Sequence, residues 1–201
     1  LEVPKMYMEL KKYDAELNPV FSIAKTEFEL PNPQTGTKMD IMEFIQSYLF
    51  DSEGNLMYGV NKDYEIQKYD ADGKLFFSIQ KDYKPVKVTK EDIADIEERM
   101  AAFSGMAQGV DLMELFNFPD VFPPYQSFFL DDQDNVYVRT WEKGEGEDEY
   151  WTDVFNKDGV FFARFVHKSE LRIVDGGTAY GVEENEEGFR LIKRYSASWT
   201  K

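Results

Sequence analysis

The chain has 201 residues, 42% apolar and 16% aromatic, which is enough material for one domain with a sizeable core. Its net charge of −16 argues against a nucleic acid or an anionic membrane surface as partner, because phosphates would be repelled and no stripe of Lys and Arg offsets the repulsion. There is no cysteine, which excludes disulfides, thiol catalysis and thiolate metal sites. No apolar run approaches 18 residues, so no transmembrane segment is expected.

In chain order, Met6 to Tyr13 reads as a strand running into the turn Tyr13-Asp14-Ala15-Glu16-Leu17-Asn18-Pro19 and a second apolar strand from Val20. A variant of the turn follows at Phe50-Asp51-Ser52-Glu53-Gly54-Asn55, again before a strand, Leu56-Met57-Tyr58. The first phrase returns as Tyr69-Asp70-Ala71-Asp72-Gly73-Lys74 before Leu75 to Ile79. Asp, Asn and Gly gather at these places because tight hairpin turns need positive φ, which Gly adopts freely and Asn or Asp at modest cost.

The strand pattern then breaks. Ile93, Ile96, Met100 and Phe103 fall at helical spacing, with Thr89 as N-cap, Glu91 and Asp92 in the first turn and Ser104-Gly105 at the end. A second helical turn is expected across Gly109 to Phe116, before Pro119 and Pro123-Pro124 force an extended return. Residues 88–118 are therefore read as a helical insertion that covers a strand edge or lids a pocket.

The turn phrases resume at Leu130-Asp131-Asp132-Gln133-Asp134-Asn135, at Phe155-Asn156-Lys157-Asp158-Gly159 and, shortened, at Val174-Asp175-Gly176-Gly177. A further copy starts at Tyr195-Ser196-Ala197-Ser198-Trp199. Repeats of about 40 residues built from short strands indicate propeller blades, and the interval from Asn55 to Asn135 fits one repeat plus an insertion of similar length. The expected fold is all-β: a β-propeller of four-stranded antiparallel blades, about three and a half of them, forming one partial domain over residues 1–201. Closed propellers carry about 4 to 8 blades, so missing N-terminal blades or a second chain are expected to close the ring. Leu1 follows no Met and no leader, in keeping with a longer N-terminal portion.

The Tyr-Asp-x-x-Gly-Lys turns, the Pro85-Val86-Lys87-Val88-Thr89 lead-in to the acidic helix, and the Pro123-Pro124-Tyr125 return into Phe129-Leu130-Asp131-Asp132 resemble bacterial six-bladed β-propeller proteins of the NHL/TolB-like type. The resemblance covers nearly the whole chain through motifs that are structural turns. It implies the fold and a periplasmic or extracellular, often lipid-anchored location; it implies no shared activity, since such scaffolds host both binding modules and enzymes.

His167 is the only histidine, so a multi-imidazole metal centre is excluded and a Ser/His/Asp triad would have to use this residue, which reads as a strand end. The acids of the turns, Asp70 and Asp72 or Asp131, Asp132 and Asp134, offer the oxygen ligands that Ca²⁺ takes, yet neither run matches the twelve-residue calcium loop. No catalytic residue and no metal ligand are assigned, and no cofactor is required, with Ca²⁺ the ion the acidic turns would accept. The loop Glu142 to Glu149 reads as a solvated hairpin tip. Tyr125 and the aromatics flanking that loop, Trp141, Tyr150 and Trp151, are the candidate ligand-binding residues, because flat rings offer contact area at low entropic cost. Pairing across the hairpin explains the same rings. The function read from the sequence is a non-catalytic binding module for a protein, peptide or glycan partner; the alternative is a divalent-cation-dependent propeller hydrolase or lactonase.

Overall fold

The computed structural model describes residues 5–32, 34–42, 46–104, 112–146 and 148–198. The chain is mostly β and divides into two compact units, one of residues 1–45 and 85–122, the other of residues 46–84 and 123–201. Each unit is described in turn.

Strands β1 (Lys5–Tyr13) and β2 (Pro19–Glu29) form a long antiparallel hairpin in the first unit. Both faces are largely exposed, with Phe28 the buried anchor. Surface pairs line it instead: Lys5 with Glu27 at 2.5 Å, and the Lys25 ammonium 4.2 Å from the Tyr7 ring centre. The two-residue strand β3 (Met39–Asp40) belongs to the same unit.

The second unit opens with β4 (Gln46–Phe50), β5 (Leu56–Val60), β6 (Glu65–Tyr69) and β7 (Leu75–Gln80), which pair in that order as an antiparallel sheet. The chain then returns to the first unit for helix α1 (Lys90–Ser104), a 3-10 turn at Leu112–Leu115 and β8 (Phe116–Asn117), parallel to β3. Helix α1 starts where its cap allows. Thr89 Oγ1 accepts the Asp92 amide at 3.2 Å while the Asp92 carboxylate accepts the Thr89 amide at 2.8 Å, a reciprocal capping box. Of its predicted stripe, Ile93, Ile96 and Met100 are half-buried and the Phe103 side chain lies outside what is described, while Asp95, Glu97 and Glu98 face water. The base of this excursion is closed by antiparallel bonds, Val88 N to Asp120 O at 3.1 Å and Phe122 N to Val86 O at 2.8 Å. Of the second expected helical segment, Leu112 to Leu115 forms the 3-10 turn and Gly109 to Asp111 lie outside the described residues.

Back in the second unit, β9 (Ser127–Leu130), β10 (Val136–Lys143), β11 (Tyr150–Phe155) and β12 (Phe161–His167) form a second four-stranded antiparallel sheet. Strands β13 (Glu170–Asp175), β14 (Thr178–Glu184) and β15 (Arg190–Ser196) form a third of three strands.

One turn geometry builds most of these hairpins. At Asp51, Asp70, Asp131, Asn156 and Asn185 the side-chain Oδ1 accepts two backbone amides, two and four residues ahead, at 2.8–3.1 Å. Asp14 accepts the amide four ahead, at 2.8 Å. The residue three positions on has positive φ in all six: Leu17, Gly54, Gly73, Asp134, Gly159 and Gly188. This is why the acid or amide and the glycine recur together, since the carboxylate or amide organises the loop and glycine enters the left-handed region without strain. The short hairpin at Gly176-Gly177 has φ of 54° and 75°, as a two-residue loop of the I′ type demands.

Two apolar cores lie between the sheets of the second unit. The first and second sheets enclose Met57, Tyr64, Ile66, Ile79, Tyr125, Phe128, Val136, Val138 and Phe155. The second and third enclose Tyr137, Val154, Val174 and Ala179, with Phe165, Leu171, Tyr195 and Ala197 packed around them. Each fully buried aliphatic side chain here contributes about 1.5–3 kcal/mol. Among the described residues, no helix is long and apolar enough to cross a membrane.

Candidate functional site

Strand alternation sends consecutive side chains to opposite faces, so β10 and β11 present two different surfaces. One face, turned to the first sheet, carries Val138, Asp153, Phe155, Trp151 and Arg164. The other, turned to the third sheet, carries Tyr137, Arg139, Tyr150, Val154, Phe165 and His167. These assignments follow from the two cores and from the contacts below.

The first face holds an internal charge cluster. Asp153 is fully buried; its Oδ2 accepts the Lys81 ammonium at 2.6 Å and the Tyr64 hydroxyl at 2.7 Å. Arg164 lies 3.0 Å from the other oxygen through Nε, an ion pair without hydrogen-bond alignment, and 2.5 Å from Glu142 through Nη2. Burial, with the Asp153 charge adding to it, pushes the Tyr64 phenol far above its ordinary value. The cluster pairs a buried carboxylate with two cations and a phenol, which ties β11 to the first sheet. Trp151 is consumed by this arrangement, with the Arg164 guanidinium 4.5 Å above its ring.

The second face is the candidate site. Trp141 and Tyr150 meet edge to face at 6.2 Å, and the Arg139 guanidinium lies 4.8 Å from the Tyr150 ring centre. All three are half-buried. Arg139 donates to the carbonyls of Ser169 at 2.9 Å and Lys168 at 3.3 Å, while its buried Nε has no hydrogen-bond acceptor. Among the described residues no carboxylate lies within ion-pair distance of it, in a chain with 39 acids. Burial lowers its pKa from the ordinary arginine value, the direction expected of a cation removed from water.

Next to it, His167 pairs in register with Tyr150 and packs edge to face on Tyr195 at 4.6 Å. Its Nδ1 accepts the Ser169 amide at 3.0 Å. Ser169 Oγ, fully buried, is 2.6 Å from the Tyr195 hydroxyl, and both hydroxyls bond to Glu183. Those two donors hold the Glu183 carboxyl below its ordinary value. A triad would need the imidazole on the serine Oγ; here it sits on a backbone amide, and the serine is bonded to the acid instead.

Of the sequence candidates, the structure brings together Trp141 and Tyr150. It places Trp151 on the opposite face, and Tyr125 in the first core with no exposed surface, 5.8 Å from Tyr64 and 6.3 Å from Phe128. Tyr125 is therefore corrected from binding residue to core residue: it closes the gap over Gly59, where a Cβ would stand 2.4 Å from its hydroxyl.

Of the acids considered for Ca²⁺, Asp70, Asp131, Asp132 and Asp134 accept hydrogen bonds from the protein itself, as does Asp51 in the matching turn. Burial pushes Asp51 up, but hydrogen bonds from Lys68 and Asn55 outweigh it and leave the carboxyl below its ordinary value. Asp131 accepts Asn135 Nδ2 and the Tyr137 hydroxyl, Asp134 accepts the amide and hydroxyl of Ser52, and Asp132 accepts the Gly176 amide. Arg139 is the residue that sequence reasoning missed, and the available signal was a charge in the stretch Val136 to Trp141, whose other residues are apolar or aromatic apart from Thr140.

No protein-family model matches the chain, and no significant relative is found among curated proteins.

Proposed function

We propose that this chain is part of a β-propeller of the NHL/TolB-like kind and acts as a non-catalytic binding module, using the face that carries Arg139, Trp141 and Tyr150 to hold a protein, peptide or glycan partner. The two four-stranded sheets with matching turns support the propeller reading. The observation that carries the binding reading is an arginine with no carboxylate among the described residues at ion-pair distance, beside two crossed aromatic rings, the residue types that dominate binding energy at recognition surfaces. An exported location belongs to the same proposal.

The test is a glycan and peptide array probed with the protein, followed by titration of any hit against Trp141→Ala and Tyr150→Ala, with Trp151→Ala as control. Each of the first two is expected to weaken binding by about tenfold, equivalent to roughly 1.4 kcal/mol. Equal weakening by Trp151→Ala would remove the site from this face. Stoichiometric Ca²⁺ in the purified protein, with a melting temperature that falls in EDTA, would favour the cation-dependent hydrolase instead.

A further inference from the structure

The contact between the second and third sheets is not filled. A pocket of about 310 Å³ opens between them, lined by Tyr137, Phe165 and His167 on one side and by Leu171, Val174, Ala179 and the segment Tyr195–Ser198 on the other. The cause lies in side-chain size. Where the first and second sheets meet, Tyr64, Tyr125, Phe128 and Phe155 fill the space; where the second and third meet, the buried residues offered by the third sheet are Val174 and Ala179.

Two properties of the lining select a ligand. Among the described residues around the pocket, none carries a formal charge apart from His167 on protonation, although 31% of the chain is charged. A charged ligand would be desolvated there without a counter-ion, at a cost of several kcal/mol. The walls also hold four rings, Tyr137, Phe165, His167 and Tyr195, which prefer edge-to-face or offset contacts with another ring. A volume near 300 Å³ is at the lower end for small-molecule sites, suited to one or two fused rings. The imidazole and the hydroxyls of Ser196 and Ser198 supply hydrogen-bonding groups at the wall for a single polar group on such a ring.

We infer that the pocket between the second and third sheets is a binding site for a small, uncharged aromatic molecule of the phenol or indole class. The pocket lies on the same face of the second sheet as Arg139 and Tyr150, but the inference rests on cavity and lining, in which Arg139, Trp141 and Tyr150 take no part.

The single histidine gives the experiment a clean reporter. Indole is titrated into the full chain while the His167 ring proton signals are followed by NMR. The expected result is a saturable shift with half-saturation below about 1 mM. Ala179→Leu places extra methyl groups inside the pocket and is expected to weaken the shift more than tenfold, the size of effect a few methylenes have in an apolar site, while the melting temperature holds or rises. Should Ala179→Leu fail to fold, Ala197→Leu fills the same pocket from the C-terminal segment. No saturable shift in the unmodified chain, or one that persists in the filled variants, would overturn the site.

Discussion

The two contacts between sheets in the second unit solve the same problem with different materials. The first, between the β4–β7 and β9–β12 sheets, is sealed by large rings and clamped by a buried carboxylate with two cations and a phenol. The second, between the β9–β12 and β13–β15 sheets, has arginine bonds to the carbonyls of the connecting residues and the His167 ring packed on Tyr195, and it retains a cavity. The difference separates a contact specialised for holding the sheets together from one with room and chemistry to spare. A well-packed interior leaves few voids larger than water, so an unfilled contact is the place to look for a ligand.

The comparison breaks most decisively at Asp153. Asp153→Ala leaves Lys81, Arg164 and the Tyr64 hydroxyl facing an empty acceptor and is expected to cost about 3–5 kcal/mol in urea denaturation. A loss under about 1 kcal/mol would mean the cluster does not clamp the contact. Next in size is Gly59→Ala, whose new methyl meets the Tyr125 hydroxyl and should destabilise by about 1–3 kcal/mol. Tyr125→Phe removes a buried hydroxyl without a hydrogen-bond partner and should cost nothing or stabilise by up to about 1 kcal/mol. Combined, the two should recover much of the loss, and additivity in the double-mutant cycle would show that the clash is not the cause.

At the second contact, Arg139→Met keeps the aliphatic stem but loses both carbonyl bonds. About 1–2 kcal/mol is expected, less than at Asp153, read by the same denaturation. The smallest effect is a pH dependence. Glu183 is held below its ordinary value, so its contribution is complete above the unfolded-state pKa of about 4.3 and is lost as the pH falls through the lower folded-state value. Melting curves from pH 7 to 3 should therefore fall less steeply in Glu183→Gln than in the unmodified chain.

Local structure was largely legible in the sequence because local chemistry decides it. The acid or amide with a glycine three residues on announced the hairpins at Asp51, Asp70 and Asn156, and Thr89 with Asp92 announced the helix start. The matching turn at Asn185 escaped, because charged Glu184 precedes it where the other turns have an aromatic or aliphatic residue. The site was less legible. Strand alternation alone separates Tyr150 from Trp151, and it was overlooked in favour of their adjacency. The burial of Tyr125 and the pairing of Asp153 depend on residues 61 and 72 positions away or more in sequence, Tyr64 and Lys81, which no local pattern reports. Nothing local marks Arg139, because the lack of a carboxylate at ion-pair distance among the described residues is set by the fold.

The turns also touch one another: Ser52 bonds to Asp134, and Asp132 bonds to Gly176, so each sheet is tied to the next at the same kind of hairpin tip. Under mechanical load such ties act in series, and rupture starts at the weakest. Pulled from its C-terminal end, the molecule should peel off β13–β15 before the Asp153 clamp gives way. Release of Glu170–Ser196 would add a step of about 90 Å to the contour length, a fixed increment for optical tweezers to resolve.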